Sequence, residues 1–135
     1  MKRWLYDNIG TENAEEKEDE QMLFVYYPKC TTCQKAKKWL TEKGIEFEER
    51  DIRNENPSKE ELAIWYQKSG LPLKRFFNTS GILYKEMKLK DRLPEMSEEE
   101  QLELLSTDGM LVKRPLLVAE DRVLVGFKEK EWETL

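Results

Sequence analysis

A chain of 135 residues, 38% of them charged, with a net charge of −5, is long enough for one domain with its own core. It has no run approaching the ~18 apolar residues of a membrane span and no apolar leader segment, so a soluble, cytoplasmic protein is expected. With no histidine, Cys-His nucleophile pairs and His-based metal sites are excluded, and two cysteines alone make a poor zinc site.

Residues 1–21 carry three bases against seven acids, a net of −4, while the rest of the chain is close to balanced at −1. Glu12–Gln21 has Ala14 as its one apolar residue, too little buried surface to offset the entropy of ordering it. Residues 1–21 therefore read as an acidic, flexible extension and 22–135 as the folded domain. Trp4, Leu5, Tyr6 and Ile9 leave open a second reading, in which the extension docks on the domain or on a partner.

From Met22 onward the elements alternate. Met22–Tyr27 is an apolar run with the character of a buried strand, and Thr32–Lys43 is an amphipathic helix closed by Gly44. Ile45–Ile52 begins in strict alternation and makes a second, half-exposed strand. Pro57-Ser58 opens a helix over Ser58–Lys68, with Glu60 and Glu61 in its first turn and Gly70 beyond its end. Strand, helix and strand in this order imply a right-handed crossover and a parallel pair. Leu71–Thr107 carries no strand pattern. Short helices are expected at Leu73–Asn78 and Tyr84–Leu89, and a third at Ser97–Ser106, where Ser97 and Glu100 form a capping-box pair. Pro115–Val118 and Val123–Val125 are short strands with a hairpin-length connection, and Lys128–Leu135 is a last short helix. The expected fold is α/β and thioredoxin-like. A central mixed four-stranded sheet is flanked by helices, with a helical insertion between the βαβ half and the C-terminal β-hairpin.

The first strand breaks at Pro28 and delivers Cys30-Thr31-Thr32-Cys33, the only cysteines, to the start of a helix. Unpaired N–H groups and the positive dipole end there stabilise a thiolate, the layout of thioredoxin-like redox sites. In a reducing cytosol such a pair is catalytic or redox-sensing rather than a structural staple. Cys30 should be the more exposed and more acidic thiol, and Cys33, one turn inside, should close a reversible disulfide with it. Lys29, Lys35 and Arg114 are the cations expected beside Cys30. The bland alternatives are that both cysteines are small core hydrophobes, that Lys35, Lys37 and Lys38 form a solvated helix face, and that Arg114 snorkels or caps a helix end. Trp39, Trp65, Tyr66, Phe76, Phe77 and Trp132 read as core or core-edge aromatics.

CTTCQKAKKWL after the first strand, FFNTSG with a following Tyr near the middle, and DGMLVKRPLLV followed by VGFKEKEW resemble the arsenate reductase-like (ArsC/Spx/MgsR) family of the thioredoxin superfamily. The resemblance spans about Met22–Trp132 and is nearer to the uncharacterised reductase-like members. It implies a nucleophilic cysteine at Cys30 and an arginine, Arg114, before a cis proline, Pro115, that aligns incoming partners. It also implies an oxyanion site of three arginines, of which this chain keeps Arg114. Asn78 stands where the second is expected and Phe127 where the third is. Each charge-assisted contact is worth roughly 1.5–3 kcal/mol, so arsenate itself is disfavoured as substrate.

The expected activity is thiol-dependent reduction or thiol–disulfide exchange by a Cys30/Cys33 pair, without a bound cofactor or metal, in a monomer. An external thiol reductant, either glutathione with glutaredoxin or thioredoxin, would restore it. Lys29, Asn78 and Arg114 are the candidate substrate-binding residues. The alternative implied by the same resemblance is a redox-switched transcriptional regulator that binds RNA polymerase through its alpha subunit without turnover. The acidic balance offers no basic patch for direct nucleic-acid binding.

Overall fold

The computed structural model describes residues 22–135, so the reading of residues 1–21 as a flexible extension lies outside the described part of the chain. In chain order the elements are β1 (Met22–Tyr26), α1 (Thr31–Glu42), β2 (Phe47–Asp51) and α2 (Lys59–Ser69). A helical segment follows, with α3 (Ile82–Glu86), α4 (Leu89–Arg92) and α5 (Glu98–Leu105) as its α-helices. The chain closes with β3 (Leu116–Val118), β4 (Val123–Val125) and α6 (Glu129–Trp132). The strand order is β2-β1-β3-β4, with β1 and β2 parallel and the other two pairings antiparallel. This is the expected mixed four-stranded α/β sheet with a helical insertion.

The unbroken apolar run of β1 follows from its central place, because such a strand is covered on both faces. Side chains alternate across it. Phe24 packs with Ala36, Leu40, Leu117 and Trp132 under α1 and α6. Leu23 and Val25 point to the other face, into the larger cluster with Ile52, Leu62, Trp65 and Phe76. The helix α2, packed on β4, and the insertion residues together cover this side of the sheet.

β2 is an edge strand. Its exposed side is tied to α1 through Glu49, which accepts a hydrogen bond from the Tyr26 hydroxyl at 2.9 Å and pairs with Lys37 at 3.1 Å. At its far end Arg50 makes two 2.8 Å bonds to the Glu61 carboxylate. Glu61 also closes a capping box with Ser58 at the start of α2. The box at Ser97 and Glu100 is formed as the spacing predicts.

Four elements differ from the sequence reading, one being the last helix, expected over Lys128–Leu135 and formed over Glu129–Trp132. β2 starts at Phe47 rather than Ile45, because the Ile45 N–H is used at 3.1 Å by the Leu40 carbonyl in the closure of α1 beyond Gly44. The expected helix at Leu73–Asn78 is a 3₁₀ turn over Leu73–Phe76. Phe77 then pairs with Val112 in an isolated antiparallel bridge. A long-range partner takes those backbone groups, with Asn78 N–H donating to Leu111 O and Lys113 N–H to Phe76 O, both at 2.8 Å. The helix expected at Tyr84–Leu89 is two short ones, α3 and α4, divided where Lys88 adopts a φ of 55°. Among the described residues no helix is long and apolar enough to cross a membrane.

Candidate functional site

Cys30 is the N-cap of α1. Its extended backbone (φ −90°, ψ 120°) turns the chain from β1 into the helix, and its Sγ accepts the Cys33 N–H at 3.3 Å. The sulfur therefore occupies the place of a capping oxygen, satisfying one of the free donors of the first turn at the positive end of the helix. The approach is pinned by the Cys30 N–H on Tyr27 O at 3.0 Å and by the Gln34 side chain on Pro28 O at 2.9 Å.

The two thiols have opposite environments. Cys30 is half-buried, whereas Cys33 is fully buried. Burial, chiefly, pushes the Cys33 thiol up to about 12, and the neighbouring Cys30 sulfur pushes the same way. A backbone contact with Tyr27 and the positive charge of Arg114 act in the opposite direction. At neutral pH Cys33 is therefore a protonated thiol held beneath Cys30, and attack on an external electrophile falls to Cys30.

Cys30 opens into a cleft of about 830 Å³, and the segments on either side of the bridge between Phe77 and Val112 contribute much of its lining. Asn78 and Arg75 stand on one side, Lys113 and Arg114 on the other, and Phe127 and Lys128 beyond β4. No Asp or Glu is among the lining residues. The Arg114 guanidinium lies 5.2 Å over the ring of Tyr27. Its Nε and Nη1 are buried without a hydrogen-bond partner among the described residues. A buried guanidinium with unused donors is prepared for an anion.

Of the residues singled out from sequence, Cys30, Asn78 and Arg114 line this one cleft, with Cys33 buried below the first. The Arg114–Pro115 peptide is cis. Pro115 is buried, and its carbonyl accepts the Gly126 N–H at 2.8 Å, holding the loop that carries Phe127. Lys29, the other candidate, is exposed and outside the lining, because the turn closed on Tyr27 O leaves Pro28 and Lys29 in solvent. Lys35 is likewise exposed on α1 and outside the cleft. Phe127, at the expected arginine position, is half-buried and packs edge-on to Trp132 at 4.9 Å and Trp39 at 6.3 Å. Arg75, Lys113 and Lys128 were missed. Each neighbours a motif residue in KRFFN, VKRP or GFKE, yet nothing in local spacing says that the three segments meet.

The ArsC family profile matches residues 25–135. The uncharacterised protein YusI of Bacillus subtilis is 59% identical over 112 residues, which cover 83% of this chain and 95% of that protein. The regulatory protein MgsR of the same organism is 34% identical, covering 84% of this chain and 88% of its own. A crystal structure of a putative ArsC family related protein from Bacteroides fragilis superposes with a TM-score of 0.83 at 60% identity, covering 84% of this chain and 96% of the other. The chain belongs to the ArsC family.

Proposed function

We propose that the protein is a thiol-dependent oxidoreductase in which Cys30 is the nucleophile and Cys33 the resolving thiol. The observation that carries this reading is the pairing of a capped, accessible sulfur with a buried protonated one a turn inside the same helix, beneath an unpaired arginine.

The Cys30 thiolate attacks an oxidised sulfur, forming a mixed disulfide and expelling the substrate's other sulfur as a thiolate. Part of what holds the Cys33 proton on is the neighbouring Cys30 sulfur, so this contribution falls away once Cys30 is in a neutral adduct, while Arg114 stays beside it. Cys33 then loses its proton and attacks Cys30, releasing the second substrate thiolate and leaving an intramolecular disulfide. An external thiol reductant supplies the two electrons that reopen it. Arsenate is a poor substrate on this reading, because Asn78 and Phe127 offer no positive charge where the family resemblance expects it.

A second reading, a redox-switched regulator, is supported by the likeness to the regulatory protein MgsR, and RNA polymerase is the partner that the family resemblance implies for it. The test is to give the reduced protein a large excess of a disulfide together with thioredoxin and its reductase, or glutaredoxin with glutathione and glutathione reductase, and to subtract the reduction seen without the protein. Repeated NADPH consumption that Cys30→Ser abolishes supports the enzyme. A single stoichiometric oxidation, with capture of the polymerase alpha subunit by one redox form alone, supports the switch.

A further inference from the structure

The cleft is larger and more cationic than a small oxyanion requires. At about 830 Å³ it lies toward the upper end of sites that hold drug-sized or peptide-sized ligands. Arg75, Lys113, Arg114 and Lys128 all face it, although residues 22–135 as a whole are slightly acidic. Among the described residues none of the four side chains is hydrogen-bonded or ion-paired. Most surface cations outside the cleft also lack a carboxylate partner among the described residues, so what sets the cleft apart is that four cations converge on one cavity whose lining holds no Asp or Glu. The cations left without partners in this cleft outnumber what one anionic group would use. Its rim is also apolar in places: Ile82 is 74% exposed, and Phe127 presents one side to the cleft.

We propose that the cleft selects disulfides carried on acidic peptide segments, so that the substrates of the Cys30/Cys33 pair are oxidised proteins with carboxylates flanking the reactive cystine. The inference rests on the thiol-exchange reading above and names its substrate class. Arg114 lies beside the reacting sulfurs, while Arg75 and Lys128 engage the flanking carboxylates, and Ile82 and Phe127 cover the apolar parts of the peptide. A field of one sign concentrated in a cleft raises the encounter rate with such a segment and disfavours a basic one. The chemistry is that of the exchange already described: one substrate S–S bond breaks, the Cys30–Cys33 bond forms, and both substrate sulfurs leave as thiols. The electrons come from the protein's dithiol.

The test uses the reduced full-length protein and the symmetric disulfides of Glu-Cys-Glu, Gln-Cys-Gln and Lys-Cys-Lys tripeptides. Formation of the Cys30–Cys33 disulfide is followed by acid quench and mass spectrometry. Each rate is divided by that of free dithiothreitol with the same peptide, which removes differences in intrinsic disulfide reactivity. The normalised rate should be at least about 10-fold higher for the glutamate than for the lysine peptide at low salt, and the ratio should shrink as ionic strength rises. Arg75→Glu combined with Lys128→Glu should bring the ratio to one or below. Equal normalised rates for the three peptides overturn the inference while leaving the thiol chemistry standing. So does a ratio that survives the double charge reversal, or an equal advantage for the small diacid dithiodiglycolate, since the cleft would then read charge only at the sulfur. Failure of every disulfide to oxidise the pair removes the thiol-exchange reading itself and this inference with it.

Discussion

Phe77 and Val112 form an antiparallel bridge outside the four-stranded sheet, and this pairing assembles the cleft beside Cys30. Two backbone hydrogen bonds of 2.8 Å flank it, Asn78 N–H to Leu111 O and Lys113 N–H to Phe76 O. Arg75 and Asn78 on one segment are thereby fixed against Lys113 and Arg114 on another that is distant in sequence. Both bridge residues are buried, so the cleft wall is anchored in the core rather than carried on a free loop.

Brief treatment of the native reduced protein with iodoacetamide at pH 7 should label Cys30 and spare Cys33. A thiol pushed up to about 12 stays protonated at that pH, and Cys33 has no exposed surface besides. Peptide mapping by mass spectrometry checks this. Comparable labelling of both residues would remove the assignment of Cys30 as the nucleophile.

Stability should fall in alkali through Cys33. Its thiol titrates from an ordinary value of 9.0 in the unfolded chain and about 12 in the folded one, so between these limits the unfolded state releases a proton that the native state keeps. The stabilisation is complete below about pH 9 and is lost as pH rises toward 12, by at most about 1.4 kcal/mol per pH unit. Tyr26, pushed up to about 12 mainly by burial, adds to the same slope. Urea unfolding of the reduced protein between pH 8 and 10.5 should show a steeper decline for wild type than for Cys33→Ala. Parallel curves would contradict it.

Arg114→Ala should slow reaction of Cys30 with iodoacetate by more than it slows reaction with iodoacetamide. The guanidinium has two buried donors free, and its removal takes away the local attraction for an incoming anion. Second-order rate constants for the two reagents measure it. Equal losses would confine Arg114 to an effect on the sulfur, and no loss would make it structural.

Asn78→Arg should tighten oxyanion binding. Asn78 lines the cleft, and its local structure depends on backbone bonds, the Gly81 N–H to Asn78 O at 3.0 Å and Asn78 N–H to Leu111 O, which arginine retains. One added charge-assisted contact, roughly 1.5–3 kcal/mol, corresponds to about 10-fold or more in affinity. Arsenate protection of Cys30 against alkylation, and steady-state arsenate reduction, compare variant with wild type. Robust turnover by the unmodified protein would show that the absent arginines are dispensable.

Gly109→Ala should destabilise the fold by about 2 kcal/mol or more, the scale of overpacking against a main-chain atom. A Cβ at Gly109 would stand 1.8 Å from the Ile52 carbonyl oxygen, which belongs to backbone at the end of β2 and cannot swing away. The 3₁₀ turn at Gly109–Leu111 precedes the bridge, so Cys30 reactivity toward anions should fall with stability. Chemical denaturation and the iodoacetate rate read the two effects.

What the chain states locally could be read in advance. Element types from Met22 to Ser69 and from Leu116 to Trp132 follow from apolar periodicity, caps and turn residues, all of which act within a few residues. The placement of Cys30 at a helix start and Cys33 a turn inside follows from the break at Pro28 and the helical spacing that succeeds it. Neither burial of Cys33 to zero exposure nor its raised thiol pKa is local, because both come from the sheet and the segments packed around α1. The helix expected at Leu73–Asn78 stops at Phe76 because backbone groups of Leu111 and Lys113 outbid the next helical turn, and propensity has no information about a partner that far along the chain. The same long-range pairing decides which cations meet: Lys29 and Lys35, close to Cys30 in sequence, face solvent, while Arg75, Lys113 and Lys128, far from it, line the cleft. Charge near a residue in sequence is a property of the chain, whereas charge near a sulfur in space is a property of how the backbone hydrogen bonds close.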